Sequence, residues 1–149
     1  MKLSVGAKWG ALVGLVDGAI AVAALYLQRD LVAALMRQEL ARAAASSGAA
    51  IAPAQMEQIL QIAMATAYVA ALIGPLILFT IIGLIMAAVW DRLKLPWYSI
   101  GAIFGLALAL IGLVGIGTTR LGLEGLAGPL QNFALSLLLA YLLKRAGGT

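Results

Sequence analysis

Between Trp9 and Tyr26 the chain runs through small and branched apolar residues with a single charge, Asp17, among them. This stretch limits the fold more than any other feature. A helix needs about 20 apolar residues to cross a hydrocarbon layer of ~30 Å. Trp and Tyr gather at the headgroups, because each has an apolar body and a polar tip. The pattern recurs from Tyr68 to Trp90 and from Trp97 to about Gly117. A fourth stretch lies within Leu126 to Leu143, ending at Tyr141, Lys144 and Arg145. The expected fold class is therefore all-α: an integral membrane helical bundle of about four transmembrane helices. They cover 9–27, 68–90, 97–117 and 126–143 in one polytopic domain, 1–149. Pro129 is expected in the first turn of the fourth span, whose shortness suits a thinned or protein-covered patch of membrane.

Composition excludes most other classes. Hydrophobic residues make up 64% and charged residues 11%, against ~45–50% and ~25% in ordinary globular domains. A water-soluble fold of 149 residues keeps too much surface exposed to hide that content. The net charge of +4 comes from scattered Lys and Arg, whereas nucleic acid calls for a clustered basic face. With no Cys and no His, disulfides, Cys/His zinc sites, haem or iron–sulfur ligation by those residues, and Ser-His or Cys-His catalysis are excluded. No carboxylates cluster, so no catalytic or metal-binding residue is nominated and no cofactor is expected. The glycines of the first span lie in an apolar helix rather than a strand-to-helix turn, which argues against a phosphate cradle. Lys2, Lys8 and the Ala21-Val22-Ala23 box imitate a signal peptide. Asp17 and the glycines interrupt its apolar core, and an uncleaved first span is expected.

Orientation follows the basic residues. With the N-terminus inside, Lys2, Lys8, Arg92, Lys94, Lys144 and Arg145 are cytoplasmic, and Arg29, Arg37, Arg42 and Arg120 are outside. The bias is modest, and Trp9, Trp90 and Trp97 fall on the same inner side. Asp91, Arg92 and Lys94 read as topology determinants in the short turn before Pro96. The expected location is a prokaryotic cell membrane with both termini cytoplasmic.

Residues 28–67 read as a helical hairpin extension between the first two spans. Gln28 to Ala45 has no Gly or Pro, so the first helix is expected to run on until Ser46-Ser47-Gly48 stops it. Pro53 suits the first turn of a returning helix. Met56, Ile59, Leu60 and Ala63 form the apolar face of that helix. The arms either stand above the bilayer as an antiparallel hairpin or lie in the headgroup layer. Further on, Gly74-Pro75 is expected to kink the second span.

Gly6, Gly10, Gly14 and Gly18 recur every four residues, making a groove into which another helix can press closely. Gly101, Gly105 and Ala109 repeat the device in the third span, and Gly83 and Ala87 in the second. Such faces serve either packing within the chain or contact with a second copy or another subunit. Asp17, near the middle of the first span, costs at least ~2.5–3.5 kcal/mol at that depth. It must face protein or water, or carry a proton. Thr80 is the expected hydrogen-bond partner. Asp17 is either a proton- or cation-responsive site or a group that sets helix register. Gln131, Asn132 and Ser136 either line an entrance or satisfy backbone and water. Arg120 and Glu124 suit a surface pair in the glycine-rich loop Thr118 to Ala127.

Three functions fit these features. The leading one is a small accessory or structural subunit of a larger membrane complex, with the bilayer and other membrane subunits, or itself, as partners. The second is a channel or transporter component built on Asp17. Finally, the order of span, hairpin and further spans resembles the general layout of the membrane protein insertases. That resemblance implies an insertase-like or scaffold role and a cytoplasmic hairpin, opposite to the orientation the charges favour.

Overall fold

The computed structural model describes residues 1–48, 51–116 and 123–147, with side chains given outside 113–126. The described residues are all-helical: α1 (Leu3–Leu27), α2 (Arg29–Ser47), α3 (Pro53–Leu93), α4 (Trp97–Ile116) and α5 (Leu123–Gly147). Two of these, α1 and α3, are long and apolar enough to cross a membrane. Gly117, the Arg120–Glu124 pair and the loop glycines Gly122 and Gly125 lie outside the described residues or side chains.

The local signals account for most helix ends. Pro53 opens α3, where its missing N–H costs nothing. Gln55 Oε1 accepts from the Ala52 N–H at 3.3 Å, a reach-back that satisfies one free donor. Gly48 closes α2 in the left-handed region (φ 69°), its N–H turned to the carbonyls of Ala44 and Ala45. Ser46 and Ser47 return their hydroxyls to Ala43 and Ala44 at 2.8 and 3.1 Å. Before α4, the Pro96 carbonyl accepts from the N–H groups of Ser99 and Ile100. Lys94 reaches φ 46° to make that turn.

Two expected features differ in the structure. The first helix does not run on to Ala45. It breaks at Gln28, where φ −103° and ψ 13° leave the helical well near ψ −42°. The Gln28 N–H still donates to Ala24, and its carbonyl still accepts from Val32. A one-residue break of this kind costs few hydrogen bonds and needs neither Gly nor Pro to announce it. Pro129 is not in a first turn, because α5 starts at Leu123 and holds Pro129 in its interior. Its ring packs near Gly112, where an added Cβ would stand 3.7 Å from Cγ. At Gly74-Pro75, α3 continues as helix. A Cβ on Gly74 would meet nothing within 4 Å, so that glycine serves no close contact.

The chain divides into two compact units, Met1–Asp17 with Leu76–Thr149, and Gly18–Pro75. In the first, four helices share one core: Val13 from α1; Phe79, Ile82 and Met86 from α3; Ile100 and Leu108 from α4; and Leu135, Leu139 and Leu143 from α5. Gly6 faces Gly83 and Gly10 faces Phe79, so this part of α1 runs antiparallel to α3. Gly101 meets Leu137 and Ala140, and Gly105 meets Phe133, so α4 and α5 are antiparallel too. Gly147 beside Met1 and Gln131 beside Asp17 set α5 antiparallel to α1.

The second unit has little core. Leu60 is its buried large side chain, and α2 buries none. Arg37 joins α2 to α3 through two hydrogen bonds to Glu57, at 3.1 and 3.2 Å. With Gly48 at the turn, this makes α2 and the start of α3 neighbouring antiparallel arms.

Candidate functional site

The site grows from one helical face of α1. Gly6, Gly10, Val13, Gly14 and Asp17 are all buried, at the three- and four-residue spacing that puts side chains in one row. Three members of the row are glycines and bring no bulk, so neighbouring helices press in close. A Cβ on Gly6 would overlap the Gly83 carbonyl, a Cβ on Gly83 would overlap the Gly6 carbonyl, and one on Gly10 would overlap the Phe79 carbonyl. Only glycine fits such an approach. Gly6 and Gly10 are thus occupied by α3 of the same chain. Gly101 and Gly105 are likewise occupied by α5, where an added Cβ would come within 3.0 Å of Ala140 and 2.8 Å of Phe133. Gly18, in the second unit, packs on Leu72, whose carbonyl would lie 2.8 Å from a Cβ. Among the sites nominated for packing, Gly14 is buried on the same face.

Asp17 closes the row and is 7% exposed. Its Oδ1 accepts from Nε2 of Gln131 at 2.5 Å, across from α5. Thr80 is not its partner. The Thr80 hydroxyl donates to the Leu76 carbonyl of its own helix at 2.6 Å. Two reasons converge. A threonine inside an apolar helix finds the carbonyl four residues back within reach at no rearrangement. Thr80 also stands level with Gly10, whose Cβ would fall 2.9 Å from the Thr80 Cα. Asp17 lies seven residues further along α1, about 10 Å at ~1.5 Å per residue.

Gln131 was legible only as one polar residue near the outer end of an apolar stretch. Its pairing depends on which α5 residue comes level with Asp17, and no local spacing encodes that. Among the described residues, no cation lies within ion-pair distance of Asp17. The amide suits that setting, since it carries a donor and an acceptor. It can donate to a carboxylate, or turn over and accept from a carboxylic acid. Asp17 can therefore change protonation without losing its partner.

Further along α5, Ser136 is fully buried and its Oγ has no partner among the described residues. Buried hydroxyls are nearly always satisfied, so Ser136 is a second polar group of interest in this core. No group of acidic residues that could hold a metal occurs among the described residues. At the opposite end of the unit, Trp97 stacks edge-on against Tyr98 and Tyr141 at 6.0 and 5.6 Å. The Met1 amino group pairs there with Asp91. Compared with protein-family models, curated proteins and solved structures, the chain matches none.

Proposed function

We propose that the chain is an integral membrane protein of four spans, α1, the apolar part of α3, α4 and α5, acting as an accessory or structural subunit of a larger membrane complex. The observation that carries the membrane reading is what these helices leave uncovered. Ile77, Ile81 and Ile85 of α3 and Ile103, Leu106 and Leu110 of α4 are 45–59% exposed, in rows along one side of each helix. Soluble monomers rarely expose apolar faces on this scale. The antiparallel order of α1, α3, α4 and α5 supports four crossings. Trp90, Trp97, Tyr141, Lys144 and Arg145 gather toward one end, which fits a cytoplasmic interface with both termini inside.

The subunit role rests on the second unit. Its α2 buries no residue, and its arms are linked by an exposed ion pair, worth little on its own. The glycine faces of the first unit are taken up within the chain, so docking falls to the hairpin. The test is solubilisation in mild detergent followed by mass spectrometry, with the Leu31→Ser/Leu35→Ser variant alongside. The wild type should carry stoichiometric membrane partners that the variant loses. Recovery of the chain alone, or as a ring of identical chains, overturns the reading. A maleimide that cannot cross membranes should label Ser47→Cys from outside the cell. Labelling only from the cytoplasmic side reverses the orientation.

A second reading, a channel or transporter component, draws on Asp17. Its buried carboxyl sits beside an amide that can partner both protonation states. On this reading, Asp17→Asn abolishes pH-dependent flux in vesicles and leaves assembly intact.

A further inference from the structure

We infer that the end of the first unit where α1 begins and α5 finishes binds the headgroups of anionic phospholipids, with basic side chains on the phosphate and aromatic side chains beneath it. The inference rests on the membrane reading above and is independent of the subunit role.

The cations at this end come from separate parts of the sequence. Lys2 precedes α1, Arg92 lies in the last turn of α3, Lys94 in the turn before α4, and Lys144 and Arg145 in the last turn of α5. Packing brings them to one level. The Met1 amino group pairs with Asp91, a Cβ on Gly147 would stand 3.9 Å from Met1 Cγ, and Trp97 meets Tyr141 at 5.6 Å. Lys8, less than two turns beyond Lys2, lies over the Trp9 ring at 5.8 Å. A side chain of that length can carry its charge up toward the headgroups.

Ion pairing sets these cations apart from the other basic residues. In the second unit Arg29, Arg37 and Arg42 each have a carboxylate, on Asp30, Glu57 and Glu39, at 3.7, 3.0 and 2.8 Å. In the first unit Lys2, Lys8, Arg92, Lys94, Lys144 and Arg145 have none within ion-pair distance among the described residues. All six are exposed. Asp91 is the acidic residue set among them, and the Met1 amino group takes it. Helix macrodipoles do not restore the balance, because α1 and α4 start at this end while α3 and α5 finish here. Anions from outside the chain therefore collect at this surface.

What lies beside the charges selects the anion. Trp97 packs edge-on against Tyr98 and Tyr141, and Tyr98, Tyr141, Leu93 and Leu95 are exposed. A soluble polyanion offers nothing to exposed leucines. A phospholipid brings a phosphate for Lys and Arg and acyl chains for the apolar and aromatic side chains. A zwitterionic headgroup would add a cation to the cluster, so a net negative headgroup is preferred.

The test uses the chain's three tryptophans. Trp9, Trp90 and Trp97 all belong to the first unit and pack partly buried against its core. The full chain is placed in phosphatidylcholine vesicles where a small fraction of the lipid carries bromine on its acyl chains near the glycerol. That lipid is either phosphatidylglycerol or phosphatidylcholine, and bromine quenches tryptophan fluorescence on contact. Brominated phosphatidylglycerol should quench at a severalfold lower mole fraction than brominated phosphatidylcholine. Lys144→Gln/Arg145→Gln and Arg92→Gln/Lys94→Gln should each at least halve that preference, and Arg29→Gln/Arg42→Gln should leave it unchanged. Where a double variant fails to fold, Arg145→Gln or Arg92→Gln alone serves. Equal quenching by the two lipids, or a preference insensitive to the first-unit variants, overturns the inference while leaving the membrane reading standing. Absence of quenching by either lipid overturns both. Relief of the phosphatidylglycerol quenching by an RNA oligonucleotide at physiological salt would assign the surface to a soluble polyanion and overturn the lipid assignment.

Discussion

Gln131 donates its amide proton to Asp17 from 114 positions away in sequence, tying the buried end of the α1 glycine row to α5. Asp17 is 7% exposed and has no ion-pair partner among the described residues, so each member of the pair is costly to lose singly.

Gln131→Leu strands a buried carboxyl and should lower stability by about 1–3 kcal/mol. Asp17→Asn keeps a hydrogen-bonding partner and should be tolerated if the role of Asp17 is structural. Asp17→Leu/Gln131→Leu should recover much of the loss, since removing both partners leaves nothing unsatisfied. Thermal unfolding in detergent checks all three. Equal loss in the double and single variants would mean that the pair does not act as a unit.

Glycines of similar appearance should respond in opposite directions. Gly6→Ala and Gly83→Ala force a methyl group into a facing carbonyl and should cost about 1–3 kcal/mol, the usual range for overpacking. Gly74→Ala meets nothing within 4 Å and should stabilise by about 0.5–1 kcal/mol through helix propensity. Melting temperatures in one detergent would separate them.

Ser136→Ala removes a buried hydroxyl that has no partner among the described residues and should be neutral, or stabilising by about 1 kcal/mol. Clear destabilisation would mean that the hydroxyl holds water or an ion in the membrane, favouring the transport reading. The same melts decide it.

Lys94 adopts φ 46° between α3 and α4, a conformation costing roughly 1–2 kcal/mol per L-residue. Lys94→Gly should raise thermal stability. It should also remove one of the inner charges, so accessibility labelling at Ser47→Cys would show whether orientation depends on it.

The helices and their apolar stretches were legible in the sequence because helix formation and hydrophobic runs are local. Pro53, Ser46-Ser47-Gly48 and the aromatic brackets act over one or two turns, and the structure uses the first two at the helix ends. The spacing of Gly6, Gly10 and Gly14 likewise depends only on 3.6 residues per turn. It showed that this face is narrow without showing what fills it.

Only tertiary structure decided the rest. Whether Asp17 meets Thr80 or Gln131 depends on the level at which antiparallel helices pass, and a shift of two turns changes the answer. The Gly6–Gly83 crossing sets that level, placing Thr80 beside Gly10 and leaving Asp17 to α5. The same geometry makes Gly83 indispensable and Gly74 idle. Periodicity names the face a residue lies on, and packing chooses its neighbour.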